Sequence, residues 1–385
     1  MDDKNRLKEF GLAIDEIRTR IEAQIGDEDV AYIKKVRRFS RSMELAGRTL
    51  IHFSPEPVSF LAGVAALWLH KQLEATEIGH TALHGAFDGL EGAEAFESKD
   101  FRWETPIDEE SWKYGHNVRH HQYTNVAGRD PDIHFGPVRL TQNTPHRLAH
   151  RIQVPFLLLE SSHFMFGMNL HFTGVIDAMA GNGRPEEFDF LEERTPATIR
   201  TAWTKALRKY VPYYAKEYVM YPALAGPFFG KVLLGNWLAS TVRDYYTAAT
   251  IYCGHVGEDV ATYGDGTKAH GRGEWYKMQI EAANNYEVSL PVSQLCGGLD
   301  RQIEHHLFPR FPTNRLRQVA PEVKHLCAVY GVEYRSESWG KTIGKVLKRL
   351  WQLSKPDAPA ASVASVAPAP APVETPAKLP LSAAA

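Results

Sequence analysis

Three groups of histidine, far apart along the chain, constrain this sequence more than any other feature. His80 and His84 stand four apart in Glu77-Ile78-Gly79-His80-Thr81-Ala82-Leu83-His84, which puts both rings on one face of a helix about one turn apart. His116 and His120 repeat the spacing, and His121 adds an adjacent imidazole. Gln302, His305 and His306 give the i, i+3, i+4 version. One such pair is common and reads as ordinary packing. Here seven of 17 histidines fall in three tight groups, too many for independent accidents. Several helices are therefore expected to point imidazoles at one shared centre.

Imidazole suits zinc, copper, nickel and iron, and the groups contain no thiolate. A catalytic zinc takes about four ligands, commonly three from protein. Seven or eight histidines exceed that, so two metal ions are the economical reading. Iron is the best candidate, although spacing by itself does not choose it. No HExxH motif occurs, which argues against a zinc hydrolase. A ligating ring must be neutral, and its second nitrogen needs an orienting partner. Glu77, Asp88, Asp130, Asp132, Asp300 and Glu304 are near enough in sequence to serve, although each alone reads as a surface acid. His52, His70, His134, His146, His150, His163, His171, His270 and His325 are scattered and read as packing or surface residues.

HTALH at 80–84, HNVRHH at 116–121 and QIEHHLFP at 302–309, in this order, resemble the three histidine boxes of the membrane fatty acid desaturase family. Glu77-Ile78-Gly79-His80, His121-Gln122-Tyr123-Thr124-Asn125 and Cys253-Gly254-His255 resemble its bacterial acyl-CoA branch. The similarity runs from about residue 40 to residue 350. It implies an all-α fold: an integral membrane bundle of about four membrane helices, capped by a cytoplasmic helical domain that holds a histidine-rich dimetal site. It further implies that His80, His84, His116, His120, His121, His255, His305 and His306 ligate the metals. His255 matches the family histidine that follows the last membrane segment. Gln302 stands where other branches carry histidine, and Ile251 where some animal relatives carry asparagine.

The resemblance also implies a chemistry. A non-haem diiron centre would take two electrons and O2, then remove hydrogens from adjacent methylenes of a fatty acyl-CoA or acyl-lipid, leaving a cis double bond and water. An unactivated methylene offers no proton to a base, so redox chemistry is needed rather than acid/base work, and zinc has no redox chemistry. Burying the acyl chain is worth about 0.8 kcal/mol per methylene. A hydroxylase of alkyl, sterol or carotenoid substrates is the neighbouring alternative, and a non-enzymatic metal-binding membrane receptor the more distant one. The sequence carries no haem domain, flavin or nicotinamide glycine fingerprint, or iron–sulfur cysteine set, so a separate reductase or ferredoxin-type partner is expected to bring the electrons.

The rest of the chain fits around this centre. A net charge of −2 gives no electrostatic case for nucleic acid. Cys253, Cys296 and Cys327 are few and odd in number, which fits small buried residues in a reducing compartment. The polar start argues against a cleaved signal peptide. Residues 1–40 read as an amphipathic cytoplasmic segment, with Phe10, Ile14, Ile17, Ile21 and Ile25 on one helical face. Residues 41–353 read as the catalytic domain, with apolar segments at about 41–75, 152–180 and 217–240. Lys34, Lys35, Arg37, Arg38 and Arg41 precede the first of these, as basic residues do on the cytoplasmic side of a membrane. Lys341, Lys345, Lys348 and Arg349 alternate with apolar residues in a helix suited to an anionic lipid surface. Residues 354–385 are Ala/Pro-rich and expected to be disordered. A mean hydropathy of −0.33 confines any membrane portion to a minority of the chain. The expected setting is the bacterial inner membrane, with the active site and both termini facing the cytoplasm.

Overall fold

The computed structural model describes residues 3–180 and 188–357; the expected disordered tail lies outside these, apart from its first residues. The fold is all-α, with one short parallel ladder in which Asn285–Glu287 pairs with Ser336–Ser338. Helix α1 (Asp3–Glu22) buries Phe10, Ile14, Ile17 and Ile21, as its periodicity predicts, against the helices Arg272–Glu281 and Thr313–Tyr330. Helix α2 (Asp27–Phe53) turns at Ser54–Glu56 into α3 (Pro57–Leu73). Glu56 caps α3 through the N–H groups of Val58 and Ser59, with Pro57 at the first position, where its missing N–H costs nothing. The two helices touch backbone to backbone: a Cβ on Gly47 would stand 2.6 Å from Leu67 N, and one on Gly63 would stand 2.8 Å from Leu50 Cβ.

The apolar stretches do not form the single helices that a membrane bundle calls for. Among the described residues no helix is long and apolar enough to cross a membrane. Arg41, Glu44 and Arg48 interrupt α2, and Lys231, Arg243 and Asp244 interrupt the 27-residue helix Phe229–His255. Residues 152–180 break into Gln153–Ser161, Phe164–Phe172 and Val175–Ala180. Gly174 marks the last break, at φ +79°, where a side chain would be strained.

Two buried apolar clusters meet at the histidines. One joins the end of α3 to the loop 86–112 and to the helices Phe164–Phe172, Phe229–His255 and Trp339–Leu353. The other holds α1 against the helices Arg272–Glu281, Gln302–Leu307 and Thr313–Tyr330. Trp339–Leu353, expected as a basic amphipathic helix, buries Val346 and Leu350 while Lys345 and Lys348 pair with Asp259 and Glu258. All three cysteines are buried and free.

Candidate metal centre

The first two boxes sit on π-helical turns, which the four-residue spacing does not announce. After Leu73 the chain widens into a π-turn, Glu74–His80, before resuming as Thr81–Leu83. Lys113–His120 is a second π-turn, closed by His121 N–H donating to His116 O at 3.1 Å. Such turns are rare and concentrate at functional sites. The first leaves the carbonyls of Glu74 and Ala75 to the indole of Trp103, whose Nε1 donates to them at 3.1 and 3.2 Å. Gly79 makes room for that indole, since a Cβ there would overlap Trp103 and Glu74 O.

All eight histidines converge, seven of them in two sets. The facing ring nitrogens of His80, His84, His116 and His305 form one, and those of His120, His255 and His306 the other. His80 Nε2 and His84 Nε2 are 3.2 Å apart. His255 Nε2 lies 3.2 Å from His120 Nε2, 3.0 Å from His306 Nε2 and 2.7 Å from the side-chain nitrogen of Gln302. Gln302 thus belongs to the second set, and Gly254 keeps it close, since a Cβ there would meet Gln302 Cγ at 2.9 Å. His121 falls in neither set and lies between them, stacked on His306 at 4.5 Å and edge-on to His84 and His305 at 4.8 Å.

The second nitrogens reveal the protonation pattern. His120 Nδ1 faces both oxygens of Asp130, at 3.0 and 3.1 Å, His255 Nδ1 faces Ala282 O at 3.3 Å, and His306 Nδ1 faces Gln279 Oε1 at 2.9 Å and Thr124 Oγ1 at 3.1 Å. The carboxylate, carbonyl and amide oxygens accept, so each ring carries a proton on Nδ1 and turns Nε2 inward, a lone pair whenever the ring is neutral. In the first set His116 Nδ1 meets Asp132 at 3.2 Å, and its ring stacks on Trp112 at 4.6 Å. His116 Nε2, His305 Nε2, both nitrogens of His121 and the side-chain oxygen of Gln302 are buried without any hydrogen-bond partner. Buried polar atoms are rarely left so. Inward lone pairs and orphaned imidazole nitrogens fit cations between the rings, and two sets fit two.

Burial holds most of these rings neutral. It lowers His80 and His255 to about 3, and His84, His116, His121, His305 and His306 well below the ordinary value. His120 is the exception. Burial lowers it too, but the carboxylates of Asp130 and Asp132 outweigh that and push it up to about 9. Asp130 is held below the carboxylate range because the His120 ring and the N–H groups of Asn125 and Asp132 outweigh its own burial. Asp132 is pushed up by burial and by Asp130 beside it.

Of the six acids nominated as orienting partners, Asp130 and Asp132 meet histidines of the sets, while the other four bond elsewhere. Glu77 bonds Tyr32, Thr313 and Arg317, and Asp88 bonds Ser98. Asp300 bonds Ser293, and Glu304 bonds Asn285 and Tyr334. Sequence reasoning missed Thr124 and Gln279. Thr124, in the turn four residues past His120, left a readable signal; Gln279, on a separate helix, left none. His171, read as packing, donates to or accepts from nothing in the sets and meets Pro131 O at 3.1 Å.

A narrow, partly open cavity of about 40 Å³ adjoins both sets, at His80 and His116 of the first and at His255 and Gln302 of the second. Trp103, Ile107, Trp112, Phe164, Met165 and Met168 wall it. An apolar chamber beside paired imidazole clusters suits oxidation of a hydrocarbon chain. The fatty acid desaturase family model matches residues 56–338, well over half of the sequence, so this chain belongs to the fatty acid desaturase family and is an oxidoreductase. The NADPH-dependent stearoyl-CoA 9-desaturase of Mycobacterium tuberculosis is 29% identical to it over 366 residues, 91% of this chain and 81% of that protein. The sn-1 linoleoyl-lipid 6-desaturase of Synechocystis is 27% identical over 58% of this chain and 61% of its own. The mouse fatty acid desaturase 2-like protein FADS2B is 28% identical over 62% of this chain and 45% of its own.

Proposed function

We propose that this enzyme introduces a cis double bond into a fatty acyl chain carried by coenzyme A or a lipid, using O2 and two external electrons. His80, His84, His116 and His305 would hold one iron, and His120, His255 and His306 the other, with Gln302 at the edge of the second and His121 between them. When bound, two irons supply the redox chemistry that an unactivated methylene requires and that no side chain offers. The observation that carries this reading is the inward-turned Nε2 of His255, 3.2 Å from that of His120 and 3.0 Å from that of His306, beside an apolar chamber.

The chain's own residues do the rest. Phe164, Met165, Met168 and Ile107 bury the acyl methylenes, at about 0.8 kcal/mol each, and keep water from the reacting carbons. Asp130, Asp132, Gln279 and the Ala282 carbonyl hold the rings in one tautomer and direction. The depth of the chamber beyond the histidines sets which carbon pair is presented. Two electrons reach the centre from NADPH through a separate reductase or ferredoxin-type carrier, a reading supported by the name of the mycobacterial relative.

The same proposal sets the enzyme on the bilayer. Phe53, Val58, Leu224 and Phe228 are exposed at the turns that end α2 and precede Phe229–His255, and Lys231 ties these turns together through the carbonyls of His52 and Ser54. A tip of that composition seats in the bacterial inner membrane, with the histidine centre facing the cytoplasm. Expression in a host with its own ferredoxin reductases, followed by gas chromatography of total fatty acids, tests the reading. A new species two hydrogens lighter, absent from the His121→Ala control, is expected. A species one oxygen heavier, or no new species from iron-loaded protein, would contradict it.

A further inference from the structure

A second cluster of ligating groups lies outside the histidine centre, between α2, α3 and the loop that carries Trp103. His70, which reads from sequence as one more scattered ring, is 3% exposed at the inner end of α3. Its Nδ1 lies 2.9 Å from Ser40 Oγ, and that hydroxyl donates to Glu74 Oε1 at 3.0 Å. A hydroxyl has one proton, so Ser40 accepts from His70 and the ring proton is fixed on Nδ1. Nε2 is then a lone pair, and among the described residues no hydrogen bond to it is made. It faces Glu44 Oε2 at 3.6 Å and Glu104 Oε2 at 3.8 Å, acceptors both, and both beyond hydrogen-bond reach.

Charged groups crowd around the ring. Arg41 pairs with Glu44, Glu74 and Glu104, Arg48 with Glu44 and Glu217, and Lys71 with Glu217. Four carboxyl groups thus share three cations, one of them, Glu74, pushed up by its burial toward the neutral acid, while Arg37 and Lys216 act only from beyond ion-pair distance. A cation fits by geometry, where one ligand atom each from Glu44, His70 and Glu104 come within 4.8 Å of one another.

We propose that Glu44, His70 and Glu104 bind a divalent first-row cation of the zinc class, distinct from the histidine-rich centre. Ligands at ~2.0–2.2 Å from a shared tetrahedral ion stand ~3.3–3.6 Å apart, near the separations here. Ser40 and Glu74 are the orienting groups behind the ring that such sites use. Arg41 Nη1 already touches Glu44 Oε2 at 2.9 Å and Glu104 Oε2 at 3.1 Å, so it shares these oxygens with the ion and tempers its affinity. The consequence falls on the chamber wall. Glu104 follows Trp103, whose indole lines the cavity, so a cation joining Glu104 to Glu44 and His70 staples that wall to the α2–α3 hairpin.

Elemental analysis of the purified full-length enzyme, iron in place and equilibrated with zinc, is the test, beside His70→Ala, Glu104→Gln and His70→Lys. Wild type is expected to take up one zinc per chain above its iron, and the first two variants to bind it at least tenfold more weakly. Their iron content and circular dichroism should match wild type, which separates a lost site from a lost fold. Zinc should raise the melting temperature of wild type and of neither variant. Equal zinc uptake by wild type and His70→Ala would overturn the proposal. So would a His70→Lys protein as stable as wild type with zinc giving wild type no gain, because the position would then accept a protonated side chain and no ion.

Discussion

The two halves of the histidine centre differ in what stands behind the rings. Each ring of the set His120, His255 and His306 is held at Nδ1 by a group outside the set. In the set His80, His84, His116 and His305, among the described residues, His116 has such a tie, to Asp132, while His80 and His84 lean on each other and on Trp112. Rings tied from behind are fixed in tautomer and direction before a cation arrives; rings held by packing can tilt. The lesson is a division of labour. The tied half is preformed, and the half that lends His80 and His116 to the chamber wall is the adaptable one.

The harshest challenge to this contrast removes one ligand from each half. His306→Ala and His84→Ala should both abolish desaturation, with iron per chain falling from two to one. Loss of both irons from either variant would show that the halves do not bind independently. A gentler cut leaves the ligands and removes the tie. Asp130→Asn should weaken the iron of the tied half by ~10–100-fold, the usual worth of an orienting carboxylate, while Asp132→Asn costs less because it orients one ring of four. Equal losses, read by iron titration of the two variants, would erase the distinction.

Acidity separates the halves next. In the metal-free protein His120 is raised to about 9, so below that pH a cation entering the tied half must displace a proton. Its affinity should rise with pH, by up to about tenfold per unit, and level off near 9. Burial keeps the rings of the other half below their ordinary value, so they are already neutral at pH 7 and their affinity should be flat above about 6.5. Calorimetric titration in buffers of different ionisation enthalpy counts the released proton: one for the first half filled or the second, and none for its partner. The smallest effect concerns the π-turn. Gly79→Ala would push Trp103 off two carbonyls beside His80, lowering stability by about 2 kcal/mol, read as a fall in melting temperature with iron content retained.

Much of this centre was legible because ligation needs fixed residue types at helical spacing. The three boxes, Gln302 among them, read directly, His255 followed from the family resemblance, and Asp130 and Asp132 stood among the acids close in sequence. The amphipathic period of α1 likewise told which face is buried. What sequence could not supply is whatever depends on a remote segment. The π-turn at Glu74–His80 exists with an indole from residue 103 on its freed carbonyls, and the spacing of HTALH alone reads as an ordinary α-helix. Gln279 reaches His306 from another helix. The apolar run 152–180 read as one segment interrupted by the polar Glu160-Ser161-Ser162-His163, whereas the break at Gly174 leaves no mark in hydrophobicity. Lone histidines are hardest of all, and His70 looks ordinary until Ser40 and two glutamates arrive from elsewhere.

Mössbauer spectroscopy of the enzyme purified after growth on 57Fe bears most directly on the central claim. Two irons per chain in two unequal environments, one for the tied half and one for the adaptable half, is the expected result. A single iron, a single environment, or folded protein that carries no iron after anaerobic loading would contradict it.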